Sequence, residues 1–173
     1  MNAVSEKVTQ SGAEDGIRRA RQGLDAAADC LLAKSAEGFT RAPTPEEQAA
    51  LQQDHSIEVN EISLARMWNK AKGYAEYHAH DGKVWFRDHG PRIEMVNVDD
   101  ESIVAALRVA AEKFGGVVTL SGPPEFRERA ARLAAHLEIG VLDDDLSEVV
   151  DQEKTLLGNL AEEEEQARCG IGR

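Results

Sequence analysis

The chain has 173 residues, 42% of them hydrophobic and only 5% aromatic, enough for one domain whose core is built mainly from Ala, Leu, Val and Ile. Lys and Arg number 20 against 32 Asp and Glu, a net charge of -12; this argues against a generic nucleic-acid coat that works by neutralising phosphates, though a local basic face stays possible. Cys30 and Cys169 lie near opposite ends without CxxC or ligand spacing, which argues against a disulfide framework or structural zinc and fits a reducing cytoplasm, and the polar amino terminus offers no signal peptide or membrane insertion.

Charge is uneven along the chain. Residues 1–60 carry 6 basic and 10 acidic side chains, 61–98 carry 6 and 5, 99–142 carry 5 and 7, and 143–173 carry 3 and 10. Residues 1–16 are small and polar and predict a disordered tail. A helical extension is expected over 17–60: an amphipathic helix at 17–34 with Ile17, Leu24, Ala28, Leu31 and Leu32 as its stripe, then a short helix at 45–53. The latter begins with Thr44 as N-cap, Pro45 at the first helical position and Glu47 placed for a capping box. Helical spacing of Leu64, Met67, Trp68 and Ala71 suggests a further helix at 61–73.

From Tyr74 to Val98 the pattern changes to three short strands, punctuated by Asp81-Gly82 and by "DHGP". "DDESIVAALRVAAEKFGG" predicts a helix with an Asp cap and a glycine end, carrying Ile103, Leu107, Ala110 and Phe114 on one face. "VVTL" is a buried-type strand, "SGPPEF" turns into a helix with Phe126, Ala130, Leu133 and Leu137 inward, and "IGVL" is another short strand. Strand, helix, strand at this spacing implies a crossover and parallel pairing. The fold class expected is therefore α+β or α/β: a three-stranded antiparallel meander followed by a β-α-β-α unit, a mixed sheet packed with helices, and a helical amino-terminal extension. Residues 61–142 form the α/β domain, and 143–173 an acidic helical tail with a disordered, solvated end.

"HAHDGKVWFRDHGPRIEM", residues 78 to 95, holds three of the five histidines and is the stretch most suggestive of chemistry. Two-residue turns at Asp81-Gly82 and His89-Gly90 place Tyr77 opposite Phe86, Glu76 opposite Arg87, and Arg87 opposite Arg92. Tyr77, Ala79, Val84, Phe86, Ile93 and Met95 then share one face, a core; Glu76, His78, His80, Lys83, Trp85, Arg87, Arg92 and Glu94 share the other. His78, His80 and Glu94 are the candidate metal ligands, although a metal site also needs further ligands and partners for the imidazoles; a solvated polar face is the plainer reading. Arg87 facing Arg92 asks for a counter-charge, from Glu76 or from a phosphate held bidentately. With Trp85 as a stacking surface, Lys83, Trp85, Arg87 and Arg92 make a candidate nucleic-acid or anion site; the plainer alternative covers Trp85 with an amino-terminal helix. "SGPPEF" lacks GxGxxG and GK[ST], and its two prolines remove backbone donors, so no phosphate cradle and no cofactor is expected. No residue combination has the context of a nucleophilic triad, and no catalytic residue is assigned.

The order of motifs over about 62–142 resembles a large polyvalent-protein-associated domain found in relaxases and mobilisation proteins of conjugative plasmids. Gly82, Phe86, Asp88, Gly90, Arg92 and Ile93 carry the likeness in the meander, Ala106, Leu107, Ala110, Ala111 and Gly115 around the first helix, and Gly122, Glu125 and Phe126 in the turn; Phe114 stands where a tryptophan is usual. The resemblance implies a noncatalytic accessory domain of plasmid DNA transfer in the bacterial cytoplasm, with relaxosome or type IV secretion proteins as docking partners. It implies a relaxase carboxy-terminal portion or a free-standing relative, with the endonuclease absent. Single-stranded DNA binding is the alternative function, and a metal-dependent nuclease the third.

Overall fold

The computed structural model describes residues 30–59 and 62–169. Its strands are β1 (Leu31–Ala33), β2 (His55–Val59), β3 (Ile62–Asn69), β4 (Tyr74–His78), β5 (Val84–Asp88), β6 (Arg92–Met95), β7 (Val117–Ser121) and β8 (Gly140–Val141); its helices are α1 (Pro45–Leu51), α2 (Asp100–Phe114), α3 (Pro124–His136) and α4 (Ser147–Cys169). The strands form one mixed sheet in the order β2-β3-β4-β5-β6-β1-β7-β8. All neighbours are antiparallel except β7 and β8, which pair in parallel across α3 as their spacing requires. The fold is thus α+β, with the meander and the β-α-β-α unit both present.

Local signals set the helices. Thr44 accepts from the Glu47 backbone while the Glu47 carboxylate accepts from the Thr44 N–H, the reciprocal capping box that starts α1. Asp99 caps α2 through the Ser102 N–H, and Gly115, at φ 80°, ends it in the left-handed conformation. α2 lays Ile103, Leu107 and Ala110 on the sheet, where they meet a face made by Leu32, Phe86, Ile93, Met95, Val118 and Leu120. α3 packs on α2 and is covered in turn by α4. Full burial of a side chain such as Phe86, which has no exposed surface, stabilises by about 1.5–3 kcal/mol relative to leaving it in water.

Three sequence expectations need correction. Leu31 and Leu32 belong not to a helix but to β1, which sits between β6 and β7; the run "LLA" is apolar on both sides, as a central strand covered on both faces needs to be. Residues 17–29 of the helix anticipated at 17–34 lie outside the described residues. The helix anticipated at 61–73 is instead β3, paired with β2 and β4. There a period of two prevails: Leu64 is wholly buried, whereas Met67, placed on the apolar stripe by helical spacing, is 53% exposed. Finally, "EEEEQARC" continues α4 as far as Cys169, and the last four residues of the expected disordered end lie outside the described residues.

The meander keeps its first register and shifts its second. Tyr77 faces Phe86 and Glu76 faces Arg87 as expected, but an irregularity between Tyr77 and His78 puts His78 opposite Val84. On the other side Arg87 faces Glu94, not Arg92, and Phe86 faces Met95. The second turn is centred on Gly90-Pro91, closed by the His89 N–H to the Arg92 carbonyl at 3.0 Å. Gly90 takes φ 96° and Pro91 supplies its fixed negative φ, the order a two-residue hairpin with glycine first prefers. A Cβ on Gly90 would also lie 2.8 Å from Pro43 Cβ.

Candidate functional site

The alternation of β4, β5 and β6 separates their side chains cleanly between two faces. Asp88, on the helix-covered face, is 2% exposed; its Oδ1 accepts from the Gly90 N–H at 2.8 Å and pairs with Lys113 of α2. Buried charge is tolerated here because both a cation and a backbone donor meet it.

On the opposite face Arg87 is flanked by two carboxylates, with Nε 3.5 Å from Glu76 Oε1 and Nη1 3.7 Å from Glu94 Oε1. These are attractions without hydrogen-bond alignment, and Arg87 Nε is buried with no hydrogen-bond partner. The guanidinium also lies 5.4 Å from the Tyr74 ring centre, a cation–π contact. His89 Nε2 meets Glu94 Oε2 at 2.8 Å, and His78 Nε2 stands 3.8 Å from Glu76 Oε2. The hydrogen bond from His89, against the opposing cost of burial, holds the Glu94 carboxyl below its ordinary range. The result is a row, His78, Glu76, Arg87, Glu94, His89, in which each carboxylate lies between the guanidinium and an imidazole.

The residues singled out as an anion site are therefore divided. Arg92 is not across from Arg87; its Nη1 donates to the Phe39 carbonyl at 2.6 Å. Trp85 shares the face with Arg87 but is only 8% exposed, so it is not the open stacking surface envisaged. Lys83 is exposed and pairs with its neighbour Asp81 at 2.8 Å. The candidate metal ligands are likewise divided: His80 is exposed in the turn after β4, His78 turns to Glu76 and to the Gly82 carbonyl, and Glu94 is engaged by His89. Among the described residues no group of three or more His, Cys, Asp or Glu is placed to hold a metal ion.

A feature that sequence reasoning missed lies at the β2 end of the sheet. Here α1, α2 and strands β2–β5 enclose a cleft of about 470 Å³, with Leu51, Ile57, Arg66, Tyr77, Val109 and Glu112 among its walls. Arg66 donates to the Ala50 carbonyl at 2.5 Å and lies 5.9 Å from the Tyr77 ring centre, while its buried Nε has no partner. Burial, with Asp88 nearby, pushes the Tyr77 hydroxyl far above its ordinary range. A second hollow of about 330 Å³ continues along the same flank between Ile57, Glu58, Arg108 and Leu137. Reading 61–73 as a helix concealed this cleft, since β2 and β3 form one of its walls; alternation of Leu64, Arg66 and Trp68 against Ser63, Ala65 and Met67 was the available signal.

Comparison with known proteins agrees with the likeness read from the meander and the α2–α3 unit. Residues 62–154 match the family described as large polyvalent protein-associated domain 7, so the match runs past the 62–142 anticipated and into α4. The chain is 26% identical over 170 residues to Protein TraI of Escherichia coli, covering 97% of this chain and 22% of that protein; it thus spans about a fifth of this relative's length. No solved structure matches. Among the described residues no helix is long and apolar enough to cross a membrane. With more than half of its residues in the family match, the chain belongs to the large polyvalent protein-associated domain 7 family.

Proposed function

We propose that the chain is a noncatalytic accessory domain of a conjugative relaxase or mobilisation protein, acting in the bacterial cytoplasm by docking protein partners of the DNA-transfer machinery. Membership of the family and similarity to Protein TraI support the setting. The observation that carries docking is the state of the two arginines: Arg87 stands between Glu76 and Glu94, and Arg92 is spent on the Phe39 carbonyl. A face whose cations already have acidic or carbonyl partners gains little from releasing counterions on a phosphate backbone. The overall charge of -12 points the same way.

Cross-linking the protein in the presence of relaxosome and type IV secretion proteins tests this reading. A discrete protein–protein cross-link that survives nuclease treatment and moderate salt is expected. Binding of a single-stranded oligonucleotide that weakens steeply with salt and disappears on replacing Arg87 and Arg92 would instead favour the nucleic-acid reading built on Lys83, Trp85, Arg87 and Arg92. That alternative draws its support from the buried, unpartnered Nε atoms of Arg87 and Arg92, two donors that a small rearrangement could offer to an anion.

A further inference from the structure

The sheet has two ends, and they differ. β8 is two residues long, too short to template another strand. β2 is five residues long and, among the described residues, pairs only with β3. His55, Ser56 and Glu58 are exposed along it. Alternate N–H and C=O groups of an edge strand point away from the sheet. Edges are usually protected by proline, lysine, a bulge or extreme shortness; β2, "HSIEV", has no proline or lysine, and its pairing to β3 runs without a shift of register.

The ground beside this edge is both apolar and acidic. Ile57 and Val109 border both hollows, with Leu51 in one and Leu137 and Ile139 in the other. Of the rim cations, Arg66 is bonded to the Ala50 carbonyl and Lys113 to Asp88. Among the described residues, the side chains of Glu46, Glu58 and Glu112 have no hydrogen bond or ion pair, against Arg108 as the one rim lysine or arginine whose side chain is equally uncommitted. An incoming strand would therefore meet backbone donors and acceptors, apolar hollows for alternate side chains, and an excess of unpaired carboxylates.

From this we infer that β2 accepts an extended segment of a partner protein as one more strand, a segment alternating apolar residues with lysine or arginine. Main-chain hydrogen bonds supply affinity and the alternating side chains supply selectivity, as in other strand additions. The inference rests on the docking reading above and names the chemistry of the partner. A second copy of this chain is the poorer occupant, because edge-to-edge pairing brings two acidic rims together.

The test uses the isotope-labelled full chain and two capped peptides of about six residues, one alternating valine with lysine and one valine with glutamate. The lysine peptide is expected to shift the backbone amides of His55–Val59, to weaken with salt, and to bind about tenfold less tightly to an E58K/E112K variant, which reverses two exposed rim charges. The glutamate peptide is expected to leave the native chain unchanged and to gain affinity for that variant. Equal behaviour of the two peptides, amide shifts confined to other strands, or β2 shifts that track protein concentration alone, as self-pairing would produce, overturns the inference. Loss of peptide binding while cross-links to transfer proteins persist removes the β2 site and leaves docking standing; peptide binding at β2 without such cross-links does the reverse.

Discussion

The two faces of the β4–β6 meander are made from the same strands and differ in almost everything else. One presents Tyr77, Phe86, Ile93 and Met95, each 4% exposed or less, closed by α2 and interrupted by a single ion pair, Asp88 with Lys113. The other presents Glu76, Arg87 and Glu94, whose side chains keep 18%, 28% and 18% of their exposure. The dry face is held by burial, which is non-directional and large in sum. The charged face is held by mutual compensation: each acid has a cation beside it, and removing one member leaves its neighbours mismatched. Stability should therefore reside mainly on the first face, and sensitivity to pH mainly on the second.

The largest effect should come from breaking the dry face. Phe86→Ala opens a cavity at a side chain with no exposed surface and is expected to cost about 3–5 kcal/mol in denaturant unfolding. Lys113→Met comes next. It leaves the Asp88 carboxylate with only the Gly90 N–H, at an expected cost of about 3 kcal/mol; the pair D88N/K113M should recover part of it, which a double-mutant cycle would measure.

Arg87→Met sharpens the comparison from the other side. It leaves Glu76 and Glu94 facing each other across β5 without their shared cation, and about 1–2 kcal/mol is expected. This loss should shrink when Glu94 is also replaced by Gln, whereas the Phe86→Ala cost should not change. The smallest effect concerns pH. The Glu94 carboxyl is held below its ordinary range, chiefly by the His89 hydrogen bond. A depressed carboxylate contributes stability that is fully present above its unfolded value, close to pH 4.5, and is lost as pH falls through the lower folded value. Glu94→Gln should therefore cost under about 1 kcal/mol near neutrality, and its difference from the native chain should vanish in strong acid. A difference that grew on acidification would contradict this arrangement.

The limits of sequence reading follow from the range of the forces involved. α1 and α2 were legible because their signals are local: Thr44 and Glu47 satisfy one another within three residues, and Asp99 and Gly115 bracket an apolar stripe. The faces of β4–β6 were legible because side-chain alternation survives a register error of two. The partner of Arg87 was not legible, since Gly90-Pro91 and His89-Gly90 are both plausible turns and differ only in which pairs they create. β1 was illegible for a different reason. "LLAK" suits a helix end as well as a strand, and its place between β6 and β7 is set by chain segments about sixty and ninety residues further on, a long-range pairing that no local pattern carries.

What the sequence alone determined is the class of fold, the helices with their caps, the segregation of the meander into an apolar and a charged face, and the family to which the chain belongs. Each of these depends on residue order over a few turns or on a sustained motif pattern. Only the tertiary structure decided that Arg87 lies between two glutamates, that Trp85 is buried, and that, among the described residues, β2 is left at the edge beside a cleft rimmed by Glu46 and Glu112. Those outcomes depend on which distant strands meet, and the pairing of distant strands is chosen by the packing of the whole core.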